Sequence, residues 1–209
     1  MKQEVLTEFE AEKILKSYLP IAKNQLVISQ REIKLKKFPL VLKIMSKQLI
    51  HKSDIGGVKI VNILDELNKE FQNLINLAKR KKLQLQGILV QEFHEGYQLI
   101  VGIKKDPVFG HILLLGIGGI YTEVLRDFSI RACPISLQDA ESMIQDLKTK
   151  DILYGKRGKK ANIELLKKLL VKTSQIPLKH KTITELDINP LILNEKDAYV
   201  VDARLVLEK

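Results

Sequence analysis

This sequence predicts a mixed α+β (or α/β) fold built as two subdomains, on three observations. Apolar runs of strand length alternate along the chain with segments of helical period. At 209 residues and 45% apolar content, the chain is long enough to bury a core. No repeat, low-complexity tract or Pro/Gly-rich linker interrupts it, and the subdomains are expected to span 1–90 and 91–209.

The elements follow in order. Thr7 and Glu10 have capping-box spacing, and Leu6, Phe9, Ile14, Leu15 and Tyr18 make one apolar side, so a helix opens the chain. Pro20 ends it. A short strand is expected over 25–28, then a basic stretch over 31–37. Residues 40–45 form a strand carrying Lys43, 45–57 a polar loop ending in glycine, and 58–62 another strand. Leu64, Leu67, Phe71, Leu74, Ile75 and Ala78 have helical spacing, and the lysines of 79–82 suit the negative end of that helix dipole. Strands follow over 87–93, 97–104 and 111–115, with turns at His94-Glu95-Gly96 and Asp106-Pro107. Ser136 caps a helix to about Lys148, and Asn162 caps another to about Ser174, with a glycine-rich basic loop over 151–160 between them. Two strands, 184–193 and 198–207, close the chain around a tight turn over 194–197.

Composition removes several classes. Cys133 is the one cysteine, so neither an internal disulfide nor a multi-cysteine zinc site is possible. The longest uncharged apolar run, 112–121, is far short of the roughly 18 residues a membrane helix needs. The first residues carry Lys2, Glu4 and Glu8 and no apolar leader, so a cytoplasmic protein is expected. The net charge of +10 fits either solubility or an anionic ligand. A nucleic-acid-binding role rests on that surplus alone, and aromatics at 5% with no Trp leave few stacking platforms.

No Walker P-loop, G-x-G-x-x-G, H-E-x-x-H or G-x-S-x-G motif occurs, so any phosphate chemistry needs another architecture. Lys43 sits inside the apolar run Val41-Leu42-Lys43-Ile44, which either turns it to solvent or presents it to an anion in a cleft. His51-Lys52-Ser53-Asp54-Ile55-Gly56-Gly57 packs an imidazole, an ammonium and two glycines into one loop; glycines let backbone N–H groups approach phosphate oxygens. Gly116-Ile117-Gly118-Gly119 follows a fully apolar strand, at the end where open sheets place ligands or simply at a tight turn. Glu123, Arg126, Asp127 and Arg131 come soon after and, by themselves, fit surface ion pairs. A hairpin sets Asn189 beside Asp202. One carboxylate and one amide oxygen suit Mg²⁺, which keeps waters and takes other ligands from phosphates. The alternative is an Asp202 satisfied by Arg204, two residues on and on the same side.

Taken together, Val-Leu-Lys-Ile, His-Lys-Ser-Asp-Ile-Gly-Gly, Val-Gln-Glu, Gly-Ile-Gly-Gly-Ile-Tyr-Thr-Glu-Val-Leu-Arg-Asp, Arg-Ala-Cys-Pro, Asp-Ile-Asn-Pro-Leu and Val-Asp-Ala-Arg form an ordered set. From about Thr7 to Leu207 the chain resembles the ATP-grasp β subunit of ADP-forming acyl-CoA synthetases (acetate–CoA ligase, ADP-forming), relatives of succinyl-CoA synthetase. The resemblance implies an ATP-grasp fold of two α+β subdomains clasping a nucleotide. It implies a ligase that interconverts acyl-CoA, phosphate and ADP with acid, CoA and ATP. It also implies a CoA-binding α subunit whose phosphohistidine delivers a phosphoryl group to ADP, in an α₂β₂ assembly.

The residue roles come with the resemblance. Lys43 would contact nucleotide phosphates, and Gln91-Glu92-Phe93 would be the hinge whose backbone reads adenine, with Glu95 toward the ribose. Gly56 and Gly57 would lie at the nucleotide. Asn189 and Asp202 would hold Mg²⁺. Gly118 and Gly119 would make room for the phosphohistidine loop, Glu123 would orient that histidine, and Arg131 would stabilise phosphoryl charge. His51 matches a histidine proposed as a second phosphoryl carrier, or else hydrogen-bonds a phosphate. Two departures stand out: the segment 29–38 is short, and Gln98 stands where relatives often have Glu. A nucleotide-sensing subunit without catalysis is the alternative that keeps this fold.

Overall fold

Apolar alternation along the chain is resolved into two sheets whose ladders are all antiparallel. The structure, a computed structural model, describes residues 3–49, 52–119, 127–156 and 158–208. Its strands are β1 (Gln3–Val5), β2 (Asn24–Val27), β3 (Leu40–Met45), β4 (Val58–Val61), β5 (Gly87–Glu92), β6 (Tyr97–Asp106), β7 (Gly110–Ile117), β8 (Phe128–Ala132), β9 (Ile183–Leu193), β10 (Ala198–Val200) and β11 (Ala203–Glu208). The helices are α1 (Glu8–Leu15), α2 (Leu64–Arg80), α3 (Leu137–Asp146) and α4 (Ile163–Lys179). Among the described residues, no helix is long and apolar enough to cross a membrane.

The chain divides into two compact units, Ala22–His94 and a second made of Met1–Ile21 with Glu95–Lys209. The passage at 94/95 lies close to the expected cut at 90/91, but the first 21 residues belong with the later unit. The reason is local: β1 pairs with β11 and α1 packs on β11. A three-residue strand has too short a pattern to be recognised from sequence.

In the Ala22–His94 unit the strand order is β2-β5-β3-β4. Leu67, Phe71, Leu74 and Ala78 of α2 pack against Leu40, Leu42 and Ile44 of β3 and Ile88 and Val90 of β5. Strand alternation therefore places Val41 and Lys43 of β3, and Leu89 and Gln91 of β5, on the face away from α2. Asp65 and Glu66 in the first turn of α2 and Lys79 and Arg80 in its last complement the helix dipole.

In the other unit the order is β1-β11-β9-β6-β7-β8, with β10 continuing beside β9. The helices described in this unit cover one face. Ala11 and Leu15 of α1, Met143 and Ile144 of α3, and Leu166 and Leu170 of α4 share a core with Leu99, Val101, Leu113, Leu115, Ile188, Ala203 and Leu205. The opposite side of the sheet, its far face, carries none of these helices. Ser136 closes a capping box with Asp139, and Asn162 accepts from the Leu165 N–H at 3.0 Å, so both expected caps form.

Other elements also differ from expectation. β8 was not visible as a strand, because its outward residues Phe128 and Ile130 are apolar and obscure the alternation. α4 runs past Ser174 and includes Pro177, since Ile176 and Pro177 are buried there. The closing strand splits at 201–202 into β10 and β11.

Candidate functional site

The split at 201–202 coincides with the residues of most chemical interest. Along β9 and β6, Leu191 opposes Leu99 and Ile188 opposes Val101, so Asn189 and Pro190 together face Ile100. This is a β-bulge, the position where a strand tolerates a residue without an N–H. On the other side of β9 the register stays constant, with Leu191 opposite Val200 and Ile188 opposite Ala203. Asn189 therefore lies directly opposite Asp202, and its N–H donates to the Asp202 carbonyl at 3.1 Å. Ile188 and Ala203 point into the helix-side core, so Asn189 and Asp202 alternate onto the far face. Asn189 is exposed and Asp202 is half-buried.

Asp187 and Arg204 are opposed one step further along the same face. Burial pushes the Asp187 carboxyl up from its ordinary value, the charge of Glu185 adds to that, and Arg204 opposes both. Among the described residues, no cluster of three or more His, Cys, Asp or Glu is built to hold a metal. What the far face offers is a carboxylate and an amide oxygen side by side. That donor set fits Mg²⁺, which takes its remaining ligands from water and phosphate.

Arg131 requires a correction. It lies on β8 opposite Leu113, a core residue, so its side chain is on the helix side of the sheet. Its guanidinium donates to Asp146 at 2.5 Å and to Ser142 at 2.9 Å, both on α3, and to Ser129 at 3.3 Å. The sheet thus separates it from Asn189 and Asp202, and it anchors α3 to the edge strand instead of meeting a phosphoryl group. Asp127 is also not a surface ion pair. Its buried carboxylate accepts from the N–H groups of Lys148 and Thr149 at 2.8 Å each and from the Thr149 hydroxyl.

Gly118 continues the β6–β7 pairing, its N–H donating to the Gln98 carbonyl at 2.6 Å. A Cβ there would lie 3.0 Å from that carbonyl oxygen, so the position is sterically tight. Gly119 follows at φ +108° with open space around its missing side chain. Gln98 and Glu95 are exposed, and the Glu95 carbonyl accepts from the Asn194 side chain at 3.5 Å. Glu123 lies outside the described residues, as does His51.

In the Ala22–His94 unit, Lys43 is 5% exposed and Gln91 is 1% exposed. They occupy diagonal positions on the face away from α2, since Val41 opposes Gln91 and Lys43 opposes Leu89. Lys43 is thus not on a solvent face, and a buried ammonium demands anionic or polar company. The Glu92 N–H donates to the Lys23 carbonyl at 2.9 Å and the Phe93 N–H to the Pro39 carbonyl at 3.3 Å. Those two donors are committed within the chain, so they are not the ones left to read a base edge.

The glycine loop is likewise closed on itself. The Gly57 N–H donates to the Lys52 carbonyl at 2.8 Å and the Gly56 N–H to the Ser53 carbonyl at 2.9 Å. Gly56 supplies a left-handed turn at φ +73°, and a Cβ on Gly57 would lie 2.8 Å from the Lys52 oxygen. Their role is to shape the loop; the phosphate-cradling N–H groups expected of them are already spent.

Residues 1–207 match the family model described as an ATP-grasp domain. The chain is 39% identical over 212 residues to the β subunit of acetate–CoA ligase [ADP-forming] I of Pyrococcus furiosus, covering 97% of this chain and 91% of that one. It is 40% identical over 174 residues to acetate–CoA ligase [ADP-forming] I of Archaeoglobus fulgidus, covering 81% of this chain but 25% of that longer protein. Among solved structures, it resembles the dinucleotide-forming acetyl-coenzyme A synthetase 1 of Ca. Korarchaeum cryptofilum. That structure holds coenzyme A and Mg-AMPPCP, with a phosphohistidine segment pointing towards the nucleotide-binding site. The TM-score is 0.84 at 40% identity, over 98% of this chain and 93% of that one.

Proposed function

This chain belongs to the ATP-grasp domain family, and on that premise we propose that it is the nucleotide-binding β subunit of an ADP-forming acetate (acyl)–CoA ligase. It acts with a CoA-binding α subunit, in an α₂β₂ assembly in the cytoplasm. Toward ATP, the P–N bond of the partner's phosphohistidine breaks with its electron pair returning to the imidazole. A ring nitrogen of His51 takes the phosphoryl group, and that second P–N bond then breaks, its electron pair returning to the His51 imidazole, as a terminal oxygen of ADP forms the new P–O bond. The observation that carries this reading is the Asn189–Asp202 pair, opposed on the far face in a chain 39% identical to a β subunit of that name.

Asn189 and Asp202 would hold Mg²⁺ through the amide oxygen and the carboxylate. Bound there, the ion supplies charge neutralisation to the phosphoryl group in transit. Lys43 binds nucleotide phosphates, and the 91–93 stretch with Glu95 borders the nucleoside. Gly119 leaves open space in which the phosphohistidine segment approaches, and Gly118 lets the backbone before it pack close on the Gln98 carbonyl. Glu123 orients that histidine, and His51 acts as a second phosphoryl carrier.

Calorimetric titration of ADP with and without Mg²⁺, on the wild type and Asp202→Asn, tests the reading. Magnesium-dependent binding that weakens at least tenfold in the variant is expected. Binding indifferent to both metal and substitution removes Asp202 from the site. A folded chain that binds ADP but supports no turnover with its α subunit would instead be a nucleotide sensor.

A further inference from the structure

With Arg131 on the helix side, the far face needs another cation to meet phosphate charge, and one is present. Arg204 follows Asp202 by two residues on that face and lies opposite Asp187, which itself precedes Asn189 by two. These residues make a block of two adjacent cross-strand pairs, Asn189–Asp202 and Asp187–Arg204. The Arg204 Nε is buried and has no hydrogen-bond partner. A guanidinium donor removed from water and left unpaired is costly, and such exceptions call for a ligand or a strained role.

The neighbouring strand position supplies the space. Across β6 from Asp187 stands Gly102, and across β7 from Gly102 stands Leu114. A Cβ on Gly102 would meet only the Leu186 carbonyl oxygen at 3.6 Å and the Leu114 Cβ at 3.8 Å. Those are ordinary contacts, so the backbone does not require glycine there. What the glycine leaves is a gap in the row Arg204–Asp187–Gly102–Leu114, one step from the candidate metal pair.

Building on the function proposed above, we propose that Arg204 binds the terminal phosphate oxygens of the nucleotide, which enter the gap over Gly102 beside Asn189 and Asp202. A guanidinium presents two parallel N–H donors to two phosphate oxygens, geometry that a lysine ammonium does not reproduce. Arg204 makes and breaks no covalent bond; it is a positioning and charge-stabilising residue for the group that moves.

The test titrates Mg-pyrophosphate, Mg-ATP and AMP into the full chain, for the wild type, Arg204→Gln, Arg204→Lys, Gly102→Val and Asp202→Asn, with thermal melting of each. Arg204→Gln is expected to weaken pyrophosphate and ATP by about tenfold to a hundredfold and AMP by less than about twofold, with Arg204→Lys between. Unchanged pyrophosphate and ATP affinity in folded Arg204→Gln overturns the proposal. So does an equal loss for all three ligands together with a lower melting temperature, which would make Arg204 a structural partner of Asp187. If Arg204→Gln does not fold, Gly102→Val decides: a tenfold loss for pyrophosphate supports the site, and no loss overturns it. Wild-type binding of pyrophosphate through Arg204 without any adenine nucleotide would keep this anion site and remove the nucleotide reading. Nucleotide binding that depends on Asp202 and not on Arg204 would do the reverse, and binding of neither ligand by the wild type would remove both.

Discussion

Replacing Asp127 with alanine is expected to lower the melting temperature by about 4 to 16 °C at neutral pH. The carboxylate is 7% exposed and accepts three hydrogen bonds, two from backbone N–H groups at 2.8 Å and one from the Thr149 hydroxyl. A hydrogen bond to a charged group contributes about 1.5–3 kcal/mol net, but burial of this carboxylate is the largest single influence on its pKa and acts against it. Water also reaches the vacated donors at the end of α3. About 2–4 kcal/mol therefore remains, at roughly 2–4 °C per kcal/mol for a chain of this size. The pH dependence gives a second handle. Despite burial, the Thr149 hydroxyl and the two N–H donors hold the Asp127 pKa below its ordinary 3.8. A folded pKa below the unfolded one means that the stabilisation is present above about pH 4 and lost as pH falls through the folded value. Thermal melts of wild type and Asp127→Ala between pH 7 and pH 2.5 should thus converge at the acid end. A difference under 1 °C at pH 7, or one that stays constant down to pH 2.5, would refute the reasoning.

Gly96→Ala is expected to destabilise by about 1–3 kcal/mol, since a Cβ there would sit 2.5 Å from the Leu193 carbonyl oxygen and backbone would have to shift to admit it; a melt unchanged within 1 °C would contradict it. Lys43→Met should cut ADP affinity by about tenfold or more while AMP binding falls less, a charge-assisted contact being worth about 1.5–3 kcal/mol; calorimetry showing equal ADP affinity removes Lys43 from the phosphates. His51→Ala, assayed with the α subunit, should abolish phosphoryl transfer to ADP, and retained transfer excludes a relay through this residue.

How much of this was legible depended on whether local pattern or long-range register decided it. The hairpin around Asn194–Asp197 is local, so the sequence spacing placed Asn189 beside Asp202 correctly. The β3 strand was recognisable from its apolar run, and Lys43 with it, but not that all six of its residues are buried. Arg131 shows the limit. Which face it takes follows from the register of β8 on β7, and β8 itself carried apolar residues on its outward side. Gly56 and Gly57 illustrate another limit: their N–H groups close onto Lys52 and Ser53, and no spacing rule states where a backbone donor is spent. Arg204 was noticed only as a counter-ion for Asp202, whereas the ladder sets it opposite Asp187.

The bulge at Asn189–Pro190 explains why the chemistry collects at this point of the sheet. β9 is an interior strand, flanked by β6 on one side and by β10 and β11 on the other. Proline has no N–H for the ladder and is excluded from interior strands except at bulges. Pro190 therefore marks where the ladder relaxes, and two residues of β9 face the single Ile100 of β6. The core alternation slips there: Ile188 and Leu191 are both buried on the helix side, three positions apart instead of two or four. The same slip appears across the hairpin, where Val200 and Ala203 are both buried and β10 gives way to β11. The paired slips leave Asn189 and Asp202 on the far face, where alternation from Ile188 and Ala203 puts them, without disturbing the apolar rows on either side. Regular alternation onward from Ile188 and Ala203 would carry Leu191 and Val200 to the far face; the slip returns both to the core, and the bulge is where β9 can hold a proline.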